Sequence, residues 1–317
     1  MSVILLQLVL GSTGSIGSAI VNELTSSGKP VRVLVRSPEK AKRVFTKPDK
    51  VELVEGSVED LKTLKGAFDG VDLFYNCVNL PYPQWSSLPT IHNGIVQVAR
   101  KARARMIFPG NVYIYGHAQT EKVSEDHPRM PCSKKGRIRL ELEDSFMRYS
   151  RDGTVPCVIV RFPDFYGPNS ASITDGIFRS VLSRKPARWF GKLEAIHEFI
   201  FISDAAKAVI MAAERSDAIG QDFNVPGPEA VRVRDWMSLV FKEAGVEPKM
   251  SGTGRMFVQL AGLFNPMARE FVEMQYLAEE PLILDGTKFN NFFGAKYPTR
   301  SYEDGIRETV EWLRKTG

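Results

Sequence analysis

Val3-Ile4-Leu5-Leu6-Gln7-Leu8-Val9-Leu10 runs straight into Gly11-Ser12-Thr13-Gly14-Ser15-Ile16-Gly17. The apolar run has the length and branched content of a strand buried on both faces. Ile16, Ala19, Ile20 and Leu24 then fall at helical spacing, so a helix starts inside the glycine stretch. Gly28-Lys29-Pro30 ends that helix, and Val31-Arg32-Val33-Leu34-Val35 reads as a second strand. A β-α-β unit with this turn is of the length that binds a dinucleotide. Gly11 lets the chain turn off the strand, Gly14 lets the backbone approach a pyrophosphate, and Gly17 lets helix and strand pack closely. Thr13, Ser15 and Ile16 lie between them on the same cofactor loop. The N–H groups of the first helical turn, with the positive end of its dipole, face the phosphates. A P-loop is excluded, because no Lys-Ser or Lys-Thr follows at the required place.

The second strand ends in Val35-Arg36-Ser37-Pro38. An NAD site has an acidic residue there for the ribose hydroxyls. Arg36 is instead suited to a bidentate contact with a 2′-phosphate, so NADP is the expected cofactor and NAD the lesser alternative. Lys40, Lys42, Arg43, Lys47 and Lys50 follow and read as a solvated basic face.

The chain has 317 residues, 43% hydrophobic and 25% charged, as an ordinary globular protein does. Its formal charge is +5. The densest basic cluster, Arg100, Lys101, Arg103 and Arg105, lies on a helix whose other face is Ile91, Ile95, Val98 and Ala102, and reads as a solvated face. No aromatics interleave with it, so no nucleic-acid partner is expected. Cys77, Cys132 and Cys157 are scattered and odd in number, which argues against a disulfide framework and for a cytoplasmic setting. The apolar start is too short to span a bilayer and lacks a basic leader, so no membrane is expected. The four histidines show no metal-ligand spacing, so no metal is expected.

Further strands are read at Val51–Glu55, ending in Gly56-Ser57-Val58; at Val71–Cys77, ending in Asn76-Cys77-Val78-Asn79; at Arg105–Phe108; and at Val155–Phe162. Helices alternate with them, the fifth over Lys134–Ser150 with Ile138, Leu142, Phe146 and Tyr149 on its apolar face. This rhythm predicts an α/β fold: a Rossmann-like, doubly wound parallel sheet with a smaller, mostly helical C-terminal substrate lobe. The nucleotide-binding domain is drawn over residues 1–167 plus about 195–222, and the lobe over about 168–194 plus 223–317. Glu198–Ile202 reads as a strand and Ser203–Arg215 as a helix capped by Ser203. The apolar stretch from Gly254 to Ala278, with Phe257, Leu260, Phe264, Phe271 and Met274, reads as lobe core, or else as a lid or subunit contact.

The order of these signatures resembles the extended short-chain dehydrogenase/reductases, also called NAD-dependent epimerases and dehydratases. Gly11–Gly17 looks like the family's cofactor motif, Asn111–Gly116 like its fifth-strand end, and Arg161–Pro168 like the next strand end. Phe199–Asp204, Phe223-Asn224-Val225 and Gly305–Trp312 match as well. The resemblance implies cofactor contacts at Ser57, Val58, Asn76, Cys77, Val78, Phe162 and Pro163, and substrate contacts at Asn79 and Asp164. The family's chemistry rests on a Ser or Thr at the fifth-strand end and a Tyr-x-x-x-Lys on the next helix. Here the matching positions carry Asn111, Lys135 and Arg139. The i, i+4 spacing is kept, but the tyrosine is gone.

Two functions are consistent with that. In one, the protein is an oxidoreductase or epimerase/dehydratase working by hydride transfer on a small hydroxyl or carbonyl substrate such as a nucleotide-sugar. Lys135 then replaces the tyrosine as acid, base or oxyanion stabiliser and lies over the cofactor. Asn111 binds the substrate oxygen, Arg139 takes the ribose, and Tyr113 is a substitute acid. In the other, the protein senses NADP(H) without turnover. The resemblance also implies a homodimer through the fourth and fifth helices, about Thr90–Ala104 and Lys134–Ser150.

Overall fold

The computed structural model describes residues 6–254, 264 and 266–316. Val3, Ile4, Leu5, Phe257 and Leu260 therefore lie outside the described residues. The chain divides into two compact units, the first made of Met1–Gly110, Ile138–Arg161 and Ala205–Phe223.

The first unit is built on a seven-stranded sheet. Its strands are β1 (Gln7–Leu10), β2 (Val31–Val35), β3 (Val51–Glu55), β4 (Leu73–Asn76), β5 (Arg105–Asn111), β6 (Cys157–Phe162) and β10 (Asp222–Asn224). The order across the sheet is β10-β6-β5-β4-β1-β2-β3. β1 pairs in parallel with β2 and β4, with Gln7 opposite both Val31 and Leu73. β2–β3 and β4–β5 are parallel too. The strand order reverses at β1, which is where doubly wound sheets open a ligand crevice. Leu8, Val9 and Leu10 are fully buried, as a strand covered on both faces must be.

The helices of this unit are α1 (Ser15–Ser26), α2 (Pro38–Val44), α3 (Leu61–Ala67), α4 (Leu88–Ala102) and most of α5 (Lys134–Arg151). Ile20, Val21 and Leu24 bury one face of α1, and Ile91, Ile95 and Val98 one face of α4. Arg100 and Arg103 are exposed, and Arg103 ends α4 at φ 58°. The doubly wound α/β reading is thus what the chain adopts.

The second unit comprises Asn111–Arg137, Phe162–Asp204 and Asn224–Gly317. It holds more strand than the sequence suggests. β7 (Asp164–Tyr166), β9 (Ile196–Phe201) and β11 (Ala230–Arg232) form one small sheet, and β8 (Ala187–Trp189) pairs with β12 (Met250–Gly252). Its helices are α6 (Ile173–Leu182), α8 (Val233–Ala244), α9 (Pro266–Val272), α10 (Tyr276–Glu279), α11 (Thr287–Phe293) and α12 (Tyr302–Thr316). Phe178, Trp189, Phe199, Trp236, Ile306 and Val310 share one core. The helix α7 (Ile202–Ala213) starts one residue before the expected cap, so Ser203 lies inside its first turn. No described helix is long and apolar enough to cross a membrane.

Candidate active site

The glycine turn closes with the Gly14 N–H donating to the Gly11 carbonyl at 3.1 Å. Gly11 has φ +70°, and a Cβ there would collide with the carbonyl of Cys77. A Cβ on Gly17 would collide with the Gly11 carbonyl, so strand end and helix touch with no room between them. The Cys77 N–H donates to the Leu10 carbonyl at 3.1 Å, which seats Asn76-Cys77-Val78 beside the turn.

α1 begins at Gly14 with no side-chain cap and no acidic residue in its first turn. A helix start with no side-chain cap, at the positive end of the dipole, is what an anion site offers. Ser12 is buried, and its hydroxyl has no partner among the described residues. Backbone that no Cβ obstructs, an uncapped helix start and an orphaned hydroxyl fit the phosphates of a dinucleotide.

Arg36 leaves β2 exposed, with no carboxylate paired to it among the described residues. Arg32, on the same strand, is by contrast paired, with Glu52 at 2.8 Å and the carbonyls of Ala67 and Asp69 at 3.1 and 2.5 Å. Ser37 caps α2, its hydroxyl accepting from the Lys40 N–H at 3.2 Å. Ser57 and Val58 follow β3, half-buried, and Ser57 accepts from Thr63 through its carbonyl at 3.4 Å.

Beyond β4 the side chains turn inward. Asn76 is fully buried, with its amide nitrogen 3.0 Å from His92 Nδ1. Burial, then the charge of Arg139, drives the His92 pKa down to about 3, so it stays a neutral core imidazole. Arg139 lies over Trp85 at 4.7 Å and Phe108 at 5.6 Å and donates to Asn79 Oδ1 at 3.1 Å. The structure thus joins Arg139 to Asn79 and adds His92, Trp85 and Phe108, which the sequence did not single out. Only Trp85, an aromatic in a proline-rich loop, carried a signal. Behind them Arg161 is held by Glu143 and Asp222 at 2.8 and 2.7 Å, tying α5 to β6 and β10.

Asn111, Tyr113 and Lys135 belong to the second unit. Asn111 Oδ1 accepts from the Tyr113 N–H at 3.2 Å, capping a short turn after β5. That leaves the Asn111 amide nitrogen as a donor. A Cβ on Gly136 would collide with the Tyr113 carbonyl, so the start of α5 packs directly on that turn. Ser133 caps α5, its hydroxyl accepting from the Gly136 N–H at 3.0 Å. Next to it Lys135 is buried, its ammonium donating to the carboxylates of Glu270 and Glu273. No motif in the sequence marks either glutamate, and each is more than 130 residues away.

Phe162 and Pro163 are buried at the end of β6, while Asp164 is half-exposed. His197 Nε2 donates to Asp164 Oδ2 at 3.0 Å, with its ring against Trp189 and Phe199. His197 is a second partner that spacing alone did not disclose.

The profile of the NAD dependent epimerase/dehydratase family matches residues 7–226. An uncharacterized UDP-glucose epimerase YtcB of Bacillus subtilis is 26% identical over 190 residues, which is 56% of this chain and 60% of that protein. A UDP-N-acetyl-alpha-D-glucosaminuronate decarboxylase of Bacillus cytotoxicus is 22% identical over 97% of both chains. Among solved structures, the UDP-glucuronic acid 4-epimerase of Bacillus cereus, in complex with UDP-glucuronic acid and NAD, superposes with a TM-score of 0.81. It is 19% identical and covers 99% of this chain and 100% of its own.

Proposed function

The chain belongs to the NAD dependent epimerase/dehydratase family, and from that premise we propose that it is an NADP-dependent enzyme of hydride-transfer chemistry on a nucleotide-sugar or similar hydroxyl or carbonyl compound. The observation that carries this is the uncapped start of α1 behind the Gly11–Gly17 turn, with the unpaired Arg36 at the exit of β2. The relatives are named for nucleotide-sugar substrates, which supports a nucleotide-sugar here. Solved neighbours carry NAD, and Arg36 is the reason NADP is preferred here.

In this reading Gly11, Thr13, Gly14, Ser15, Ile16 and Gly17 hold the pyrophosphate, and Arg36 the 2′-phosphate. Ser57, Val58, Asn76, Cys77, Val78, Phe162 and Pro163 complete the cofactor's surroundings, and Arg139 the ribose contacts. The nicotinamide, when bound, supplies the hydride chemistry. Lys135 donates to the substrate oxygen as that oxygen gains negative charge, with the Asn111 amide beside it and Tyr113 as proton donor. Asn79 and Asp164 hold the rest of the substrate. A cytoplasmic homodimer through α4 and α5 belongs to the same reading.

The test is direct titration of NADPH and NADH into the native protein and Arg36→Ala. NADPH should bind the native protein more tightly, and the substitution should weaken it by about tenfold or more, the worth of a charge-assisted contact. NADH affinity should hardly change. Equal NADPH affinity in both proteins would remove Arg36 from the site. Turnover is assayed with UDP-glucose and UDP-glucuronic acid; NADPH binding with no turnover of either would favour the sensor.

A further inference from the structure

An ammonium has three N–H donors. Lys135 commits its donors to the Glu270 carboxylate, the Glu273 carboxylate and the Glu270 carbonyl at 3.3 Å. Its side chain is 2% exposed, while the carboxylates keep 30% and 28% of theirs. Glu273 also accepts from the Lys134 N–H at 2.6 Å. One carboxylate therefore fixes both the first residue of α5 and the ammonium one residue on, at the helix end where negative charge is favoured.

Packing alone does not call for this arrangement. A buried ion pair is weak evidence for stability, and an apolar side chain of similar volume serves a core as well or better. Two carboxylates on one ammonium also leave a negative charge uncompensated. Both glutamates come from α9 and its exit, and this stretch is seated by contacts of its own. Phe271 stacks on Phe190 at 5.5 Å, Gln275 donates to the Thr253 carbonyl at 3.4 Å, and Trp189 donates to the Ala278 carbonyl at 3.1 Å. Glu280 meets His117 at 2.6 Å.

We propose that Glu270 and Glu273 are positioning residues for Lys135, and that the stretch 269–280 is a latch whose seating places the ammonium in the reaction site. The inference rests on the reading of Lys135 as the group that meets the substrate oxygen. A substrate oxygen takes over one of the donors held by a carboxylate. The surplus negative charge favours an uncharged hydroxyl or carbonyl at that point over a carboxylate or phosphate.

The experiment is pulsed amine acetylation of the full-length, cofactor-free protein, read peptide by peptide by mass spectrometry. Lys134, exposed on the same helix turn, is the internal reference. Lys135 should label far more slowly than Lys134 in the native protein. In Glu270→Gln/Glu273→Gln its labelling should rise by at least about tenfold relative to Lys134, because the latch opens. Equal protection in the native and doubly substituted proteins overturns the proposal. The single variants, checked for an unchanged thermal midpoint, should lower kcat for UDP-glucose with NADP while leaving the NADPH dissociation constant unchanged; unaltered kcat in both also overturns it. Native kcat in Lys135→Met would instead sink the catalytic reading of Lys135, and it would do so with the acetylation pattern of the native protein intact.

Discussion

At the scale of single residues, the three glycines of the turn separate fold from function. Gly11 has both a left-handed φ of +70° and a carbonyl in the way of a Cβ. Gly11→Ala should cost about 2–4 kcal/mol, adding left-handed strain to overpacking, measured as a drop in urea midpoint. Gly14 is different. Its φ of −80° suits any residue, and its Cβ would sit 3.3 Å from the Gly11 carbonyl, tight but tolerable. Gly14→Ala should therefore keep its stability within about 1 kcal/mol and lose NADPH affinity, because the missing side chain matters only to the ligand. Similar losses of stability in the two variants would refute that division. The roles of Gly11 and Gly17 in turning and close packing were legible because glycine spacing after an apolar run has few other uses. The partners of Lys135 were not legible, since no local pattern encodes a carboxylate 135 or 138 residues away.

Among elements, β1, β2, β4 and β5 and α1, α3, α4 and α5 were legible from periodicity, because each buries one run or one stripe. β9 shows the limit. Glu198–Phe201 is apolar enough for a central strand, and a short apolar run does not say which sheet takes it. In the structure it joins β7 and β11 instead. The stitch between α5 and the large sheet was only half visible. Arg161 stood in the strand end that resembles the family's, but its ion pair with Glu143 is a tertiary fact. Arg161 is 1% exposed and Glu143 fully buried, and burial pushes the Glu143 carboxyl upward against the pull of Arg161. Glu143→Ala would leave the buried guanidinium without its Glu143 partner and open a cavity. The loss should be about 3–5 kcal/mol, read from chemical denaturation, with Glu143→Gln losing less because it still accepts from Arg161.

At the scale of the whole molecule, two buried groups set opposing pH responses, one in each unit. His92 belongs to the first unit, and its native pKa of about 3 lies below the 6.5 of an ordinary imidazole. Between those values the unfolded chain binds the extra proton, so His92 makes stability rise with pH and fall on acidification. Glu198 belongs to the second unit. Burial raises its pKa from 4.5 to about 7, against hydrogen bonds from the Leu284 and Gly227 N–H groups. There the native state holds the proton, so Glu198 makes stability fall as pH rises from 4.5 to 7. Over pH 4.5–6.5 each group contributes on average about 1 kcal/mol per pH unit with opposite sign, below the limiting value of about 1.4 because each unfolded group is half-titrated at one end of the window. Glu198→Gln should therefore gain about 2 kcal/mol over the native protein on going from pH 4.5 to 6.5, and His92→Gln should lose about as much. Tryptophan emission resolves the two contributions, because Trp85 reports on the first unit and Trp189, Trp236 and Trp312 on the second. Urea melts of the native protein and both variants at pH 4.5, 5.5 and 6.5 give the slopes. Parallel slopes in all three proteins would mean that neither group is buried in the protonation state its surroundings demand.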